Sequence, residues 1–281
     1  MQGGAQVLTD EQLLAKYGET VRKFRPIDDT FMRVLFRDNL PLTEYVLRII
    51  TGTPDLEIIS ENAQHDLFRQ DGGRSVCLDV FARDSKGTLY DIEVQRADKG
   101  ASPKRARYHS SAMDVEFLDK GEDFDSLHET YVIFITENDI FREGELAYHF
   151  IRTSLSGGRP LEDGTHIMYL NASYSRPGDS SELAMLMHDF LCSDPEEMET
   201  EMLEKEVNEL KSKKGDVKMC KIVEDLFEKL MEEEKRDILR DSAKKALAAG
   251  IPIDKTAEIL SLPIETVESI DRDMQKNTVN A

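Results

Sequence analysis

The chain has no apolar run approaching the roughly 18–20 residues that a membrane span requires. Its first ten residues, Met1 to Asp10, lack a basic region followed by an apolar stretch. Neither a membrane protein nor a secreted one is expected, and the expected compartment is the cytoplasm. Cysteine is scarce. Cys77, Cys192 and Cys220 are odd in number and far apart, with no CxxC pair and no metal-finger spacing, so they read as buried or free thiols. Internal repeats and low-complexity tracts are missing too. Positive charge is in deficit: 36 Lys and Arg against 56 Asp and Glu leave a net −20, which at first argues against a nucleic-acid partner.

What is present changes that argument. The 281 residues, 40% hydrophobic and 33% charged, suit a soluble globular chain of one large domain or two ordinary ones. The acidity is unevenly spread. Residues 1–110 hold 16 basic and 17 acidic side chains, residues 111–200 hold 5 and 20, and residues 201–281 hold 15 and 19. Within the nearly neutral first part, Arg96, Lys99, Lys104, Arg105 and Arg107 stand against Asp98 alone, a local +4.

Residues 1–24 read as a polar leader, with a short helix from Asp10 to Lys23. After Pro26, Asp28 or Asp29 suits the N-cap of a helix carrying Phe31, Val34 and Leu35. A second helix, with Val46, Leu47, Ile49 and Ile50 on its apolar stripe, stops at Thr51-Gly52-Thr53-Pro54. Strands are expected at Leu56 to Ile59, Val76 to Ala82 and Leu89 to Gln95, with a turn at Gly72-Gly73 and hairpin-turn chemistry from Asp84 to Thr88. A helix over Lys104 to Leu118 follows, then a strand at Tyr131 to Thr136 that is apolar enough to be covered on both faces, and another at His166 to Leu170. This order is that of an α/β sandwich with a mixed central sheet flanked by helices. From residue 181 the chain turns helical: Glu182 to Cys192, Glu196 to Leu210, and Val217 to Ala249 ending at Gly250. A small helix-turn-helix spans residues 254–274.

Chemistry is concentrated in the hairpin. Period-2 alternation puts Asp79 on one strand and Glu93 with Gln95 on the next, on a shared face, while Leu78, Val80, Ile92 and Val94 point to the other. Antiparallel pairing across the turn would bring positions 79 and 93 opposite each other, Cβ atoms about 5 Å apart. Phosphodiester hydrolysis needs a nucleophilic water and neutralisation of charge on phosphate, and a divalent metal held by two carboxylates supplies both. The competing reading is the solvent face of an ordinary antiparallel sheet, which shows the same alternation.

The stretch S-V-C-L-D-V-F-A-R-D-S-K-G-T-L-Y-D-I-E-V-Q, Ser75 to Gln95, resembles the core of the PD-(D/E)XK nuclease family transposases, also called recombination-promoting nucleases. The similarity reaches upstream to D-D-T-F-M-R-V-L-F-R-D from Asp28 and downstream through R-A-R-Y-H-S-S-A-M-D from Arg105, covering about residues 25–140. It implies a restriction-endonuclease-like α/β core over residues 25–180, an all-helical C-terminal region over 181–281, and Mg²⁺-dependent DNA endonuclease activity, with Mn²⁺ able to substitute, associated with transposition or recombination. It assigns Asp79 and Glu93 as metal ligands and offers the Val94 carbonyl to the metal. Gln95 stands where many nucleases of this superfamily have Lys; it can orient the attacking water but brings no charge. Asp29 is the candidate assisting acid, with Asp28 and Glu44 as alternatives. Arg96, Lys104, Arg105, Arg107 and Tyr108 are the candidate DNA contacts, with His109 a weaker one; the other five histidines read as structural. The alternative is a nuclease-fold protein weakened in catalysis and acting as a DNA-binding or regulatory module. The second helix of the helix-turn-helix carries Glu265, Glu268, Asp271 and Asp273, the wrong sign for phosphate. Packing or self-association suits the C-terminal helices better, with Phe227 to Leu247 the stretch that would pair with another copy.

Overall fold

The computed structural model describes residues 19, 21–67, 76–96, 98–175, 177–211 and 238–279. The chain forms two compact units, Met1–Val223 and Glu224–Ala281. In the first, six strands form one mixed sheet in the order β1-β2-β3-β4-β6-β5: β1 (Ile58–Leu67), β2 (Val76–Asp84), β3 (Leu89–Gln95), β4 (Thr130–Thr136), β5 (Ala147–Phe150) and β6 (Thr165–Asn171). The β1/β2, β2/β3 and β5/β6 pairs are antiparallel, and β3/β4 and β4/β6 parallel. A mixed sheet flanked by helices is the architecture of a restriction-endonuclease-like α/β fold.

The β2/β3 turn is closed by one carboxylate. Asp84 accepts the N–H of Lys86 (2.9 Å) and Thr88 (2.8 Å) and the hydroxyl of Tyr90 (3.0 Å). Gly87, at φ +92°, supplies the left-handed residue the turn needs. This local chemistry fixes the register, with Arg83 opposite Leu89 and Val80 opposite Ile92.

Helices α1 (Asp29–Phe36) and α2 (Leu40–Thr51) precede the sheet, α3 (Pro103–Phe117) follows β3, and α4 (Glu182–Leu191) and α5 (Glu201–Lys211) end the first unit. The α3 helix begins where sequence chemistry says it should: Ser102 accepts from Arg105 N (3.3 Å) and Pro103 takes the first turn. Its Ala106 and Met113 pack on Phe81, Val132, Phe134 and Tyr169. Ile92, Val94, Ile133 and Ile135, of the alternate phase, are buried as well, so the sheet is covered on both faces. Helix α1 packs against β1, β2 and β3. Asp189 of α4 caps α5, accepting from Glu199 N (2.8 Å), Thr200 N (2.7 Å) and Thr200 Oγ1 (2.5 Å). At the end of α5, Lys211 Nζ donates to the carbonyls of Arg22 (3.0 Å), Phe24 (2.5 Å) and Ser193 (2.5 Å). Helices α4 and α5, read from sequence as part of a C-terminal region, thus belong to the first unit.

The second unit contains α6 (238–248), then α7 (Ile253–Leu260) and α8 (Ile264–Val279). The last two helices pack on each other and are joined through Ser261 at φ 52°. The proposed pairing stretch Phe227 to Leu247, the Gly72-Gly73 turn, the Asp10 to Lys23 helix and Cys220 fall wholly or mostly outside the described residues. Cys77 and Cys192 are free thiols. Among the described residues, no helix is long and apolar enough to cross a membrane.

Candidate active site

The β2/β3 ladder stops at Val80 and Ile92. One step further, backbone and side chains exchange partners. The N–H of Asp79 donates to Glu93 Oε1 (3.1 Å), and the N–H of Val94 donates to Asp79 Oδ2 (3.3 Å). The two acids are therefore adjacent and tied to each other's strands. They do not lie on a solvent face: Asp79 is 8% exposed, Glu93 0% and Asp91 0%. Helix α3 covers them, through Arg105 against Glu93 and His109 against Asp91.

Burial dominates the electrostatics. It pushes the Asp79 carboxyl up to about 6, with the charge of Asp29 adding to the effect and Arg33, the Val94 N–H and Arg105 opposing it. Burial first, then Asp91 and Asp79, raise Glu93 well above the usual carboxylate range. Burial likewise raises Asp91, with Asp79 adding to it. Three buried acids without enough counter-charge form an electrostatic deficit that a cation would relieve.

Arg105 on α3 meets part of that deficit. Its Nη2 donates to Glu93 Oε2 (2.5 Å), Nη1 to the Gly100 carbonyl (3.0 Å) and Nε to His109 Nε2 (3.2 Å), and the guanidinium lies 5.7 Å from the Phe134 ring centre. Because guanidinium only donates, His109 Nε2 must accept. His109 therefore carries its proton on Nδ1 and donates it to Asp91 Oδ2 at 2.8 Å. Asp91 Oδ1 is buried without a hydrogen-bond partner. Asp91, Glu93 and His109 bring ligand atoms within 4.8 Å of one another.

A cleft of about 790 Å³ opens on this cluster, lined among others by Arg33, Cys77, Asp79, Lys104, Arg105 and Tyr108. Asp79 lines it, while Glu93 and Asp91 are fully buried and do not; carboxylate oxygens of this kind suit a hard divalent cation such as Mg²⁺ or Mn²⁺. Asp79 and Glu93, buried, under-neutralised and fixed side by side, fit such an ion.

The remaining candidates are placed as follows. Gln95 is half-buried at the end of β3, and a Cβ on Gly100 would lie 1.8 Å from its Oε1, so the amide rests against that glycine. Asp29 is the first residue of α1 rather than its N-cap, which is Asp28. It pairs with Arg33 Nε (2.9 Å), close enough for its charge to act on Asp79. Glu44 is elsewhere, bound to Arg48 (2.7 Å) and the N–H of Ile58 (2.9 Å). Asp28 is engaged by the Arg25 N–H (2.8 Å) and Arg96 (3.0 Å). Arg96 also reaches Glu137 (3.2 Å), and Arg25 meets the same carboxylate (3.0 Å). Lys104 and Tyr108 line the cleft, and Arg107 is exposed on α3. Sequence reasoning missed Asp91 and Arg33, and it undervalued His109. Asp91 shares the phase of Glu93, which was the available signal. The separation of eighteen positions between Asp91 and His109 hides the contact.

A family model described as PD-(D/E)XK nuclease family transposase matches residues 55–249. The match begins after α1 and α2, which the sequence resemblance had included, and runs well past residue 140. No curated protein and no solved structure matches the chain.

Proposed function

Because the chain belongs to the PD-(D/E)XK nuclease family transposases, we propose that it is a DNA endonuclease hydrolysing phosphodiester bonds with Mg²⁺ or Mn²⁺ at Asp79 and Glu93. Nucleases of this kind generally use divalent metals. The observation that carries the reading is the pair of crossing bonds where the strands stop pairing, Asp79 N–H to Glu93 Oε1 and Val94 N–H to Asp79 Oδ2. A buried acid pair with raised proton affinity, one member of which lines a cleft, is costly for the fold and needs a reason.

In this reading Asp79 and Glu93 hold the ion through oxygen, with the Val94 carbonyl as a further donor. A divalent ion bound there supplies Lewis acidity and an activated water. Gln95 orients the attacking water through its amide. The water oxygen bonds to phosphorus and gives up a proton to solvent as the bond to the leaving sugar oxygen breaks, and the leaving oxygen takes up a proton from solvent. Lys104 and Arg107 contact the DNA backbone, and Tyr108 lines the approach; these contacts position rather than specify. Asp29 assists through the charge it places beside Asp79.

Purified full-length protein incubated with supercoiled plasmid tests this. Nicking with Mg²⁺ or Mn²⁺, stopped by EDTA and lost in Asp79→Ala, supports the reading. DNA binding without cutting, or cutting that survives Asp79→Ala, overturns it.

A further inference from the structure

The site lacks a positive charge where the strand itself could supply one, because position 95 is Gln. Yet a guanidinium lies against Glu93, held on all three of its nitrogens. Nε, Nη1 and Nη2 each donate one hydrogen bond, to His109, the Gly100 carbonyl and Glu93. Guanidinium has five N–H bonds. Three are spent inside the protein, which leaves one on Nη1 and one on Nη2. Those two N–H groups remain as donors for the oxygens of a phosphate. The side chain is 35% exposed and lines the same cleft as Asp79.

We propose that Arg105 is the catalytic cation of this site, stabilising the charge that develops on the phosphate during hydrolysis, and that His109 and Asp91 are positioning residues that fix its plane. The relay is ordered by chemistry. Asp91 Oδ2 accepts from His109 Nδ1, so Nε2 is left bare to accept from Arg105 Nε. Asp91 is 0% exposed, and His109, at the edge of the cleft, has both ring nitrogens engaged, so both act through Arg105. Arg105 gives and takes no proton in the reaction; it supplies charge and two donors already aimed before DNA arrives, which is the form of help that costs no reorganisation. This role differs from that of Lys104 and Arg107, whose charges act on the DNA backbone at large.

The inference rests on the nuclease reading above, and its test separates the two. Mn²⁺ binding is followed by electron paramagnetic resonance, and cleavage of a short duplex is resolved into kcat and KM, for wild type, Arg105→Gln, Arg105→Lys and His109→Ala. Thermal melts check that each variant is folded. Arg105→Gln keeps hydrogen-bond donors but no charge. Its kcat is expected to fall about 10²–10³-fold, with KM little changed and Mn²⁺ bound at least as tightly, because a competing cation has gone from Glu93. Arg105→Lys should recover part of the loss. His109→Ala should lower kcat about 10- to 100-fold and leave Mn²⁺ affinity and KM alone. Arg105→Gln and Arg105→Lys that both cut within a few-fold of wild type overturn the proposal. So does loss of Mn²⁺ binding in Arg105→Gln, which would make Arg105 a structural prop for Glu93. Wild-type protein that neither binds Mn²⁺ nor cuts overturns the nuclease reading instead.

Discussion

Replacing Asp79 with Asn separates what this carboxylate does for the reaction from what it costs the fold. Burial raises its carboxyl from 3.8 to about 6. One unit corresponds to about 1.4 kcal/mol, so keeping Asp79 ionised in the metal-free protein at pH 8 costs about 3 kcal/mol. The folded-state value lies above the unfolded one. The fold therefore favours the protonated form: stability from this group is fully present below about pH 4, falls as pH rises through about 6, and levels off above that. Asn is neutral and nearly isosteric, and its amide oxygen can still accept the Val94 N–H. Without metal at pH 8, Asp79→Asn should be more stable than wild type by about 1–3 kcal/mol, roughly 3–10 °C in Tm. The gap should close toward pH 4. Adding Mg²⁺ should raise the Tm of wild type and leave the variant unmoved. Circular dichroism melts in EDTA and in Mg²⁺, at pH 8 and pH 4.5, read all three effects. A variant less stable than wild type at pH 8 in EDTA, or a gap unchanged between the two pH values, would refute the reasoning.

Other outcomes follow from neighbouring contacts. In Gly100→Ala the new Cβ would overlap the far end of Gln95, 1.8 Å from Oε1. The flexible amide must swing away, so cleavage should fall as far as it does in Gln95→Ala, while Tm moves little; a Gly100→Ala enzyme as fast as wild type would dissociate Gln95 from the reaction. Lys104→Ala and Arg107→Ala should weaken duplex binding and lower the slope of log affinity against log salt by about 1 each, seen in fluorescence-anisotropy titrations, with kcat retained. Lys211→Met leaves the carbonyls of Arg22, Phe24 and Ser193 without their ammonium donor. It should destabilise the protein by about 1–3 kcal/mol in urea unfolding, with cleavage per folded molecule unchanged.

The parts of the fold legible in sequence were those set by local chemistry. The span Leu89–Gln95 was read without error, and Asp84 and Gly87 fix the turn that sets the hairpin register. Strand β1 was cut short at Ile59 because its remainder, Ser60 to Asp66, is almost wholly polar and shows no alternation to read. Strand β5 was missed because it has four residues, two of them exposed, and is defined only by pairing with β6. At the site, Asp79 and Glu93 were legible because the turn dictates their opposition. The link from Asp91 through His109 to Arg105 was not, since it joins a strand to a helix and depends on rotamers and on which imidazole nitrogen bears the proton. Reading Arg105 as a surface contact also failed to anticipate its pairing with Glu93.

The early end of the β2/β3 ladder has one more implication, concerning ionic radius. For a cation held by Asp79 and Glu93, the ligand oxygens are pinned by amide groups of the opposing strand rather than by mobile side chains. Mg²⁺ accepts short bonds of about 2.0–2.1 Å, whereas Ca²⁺ requires about 2.3–2.6 Å and more ligands. Accommodating the larger ion would mean prising two strands apart beneath a packed helix, so an ion held there in the proposed way would be expected to be the smaller one.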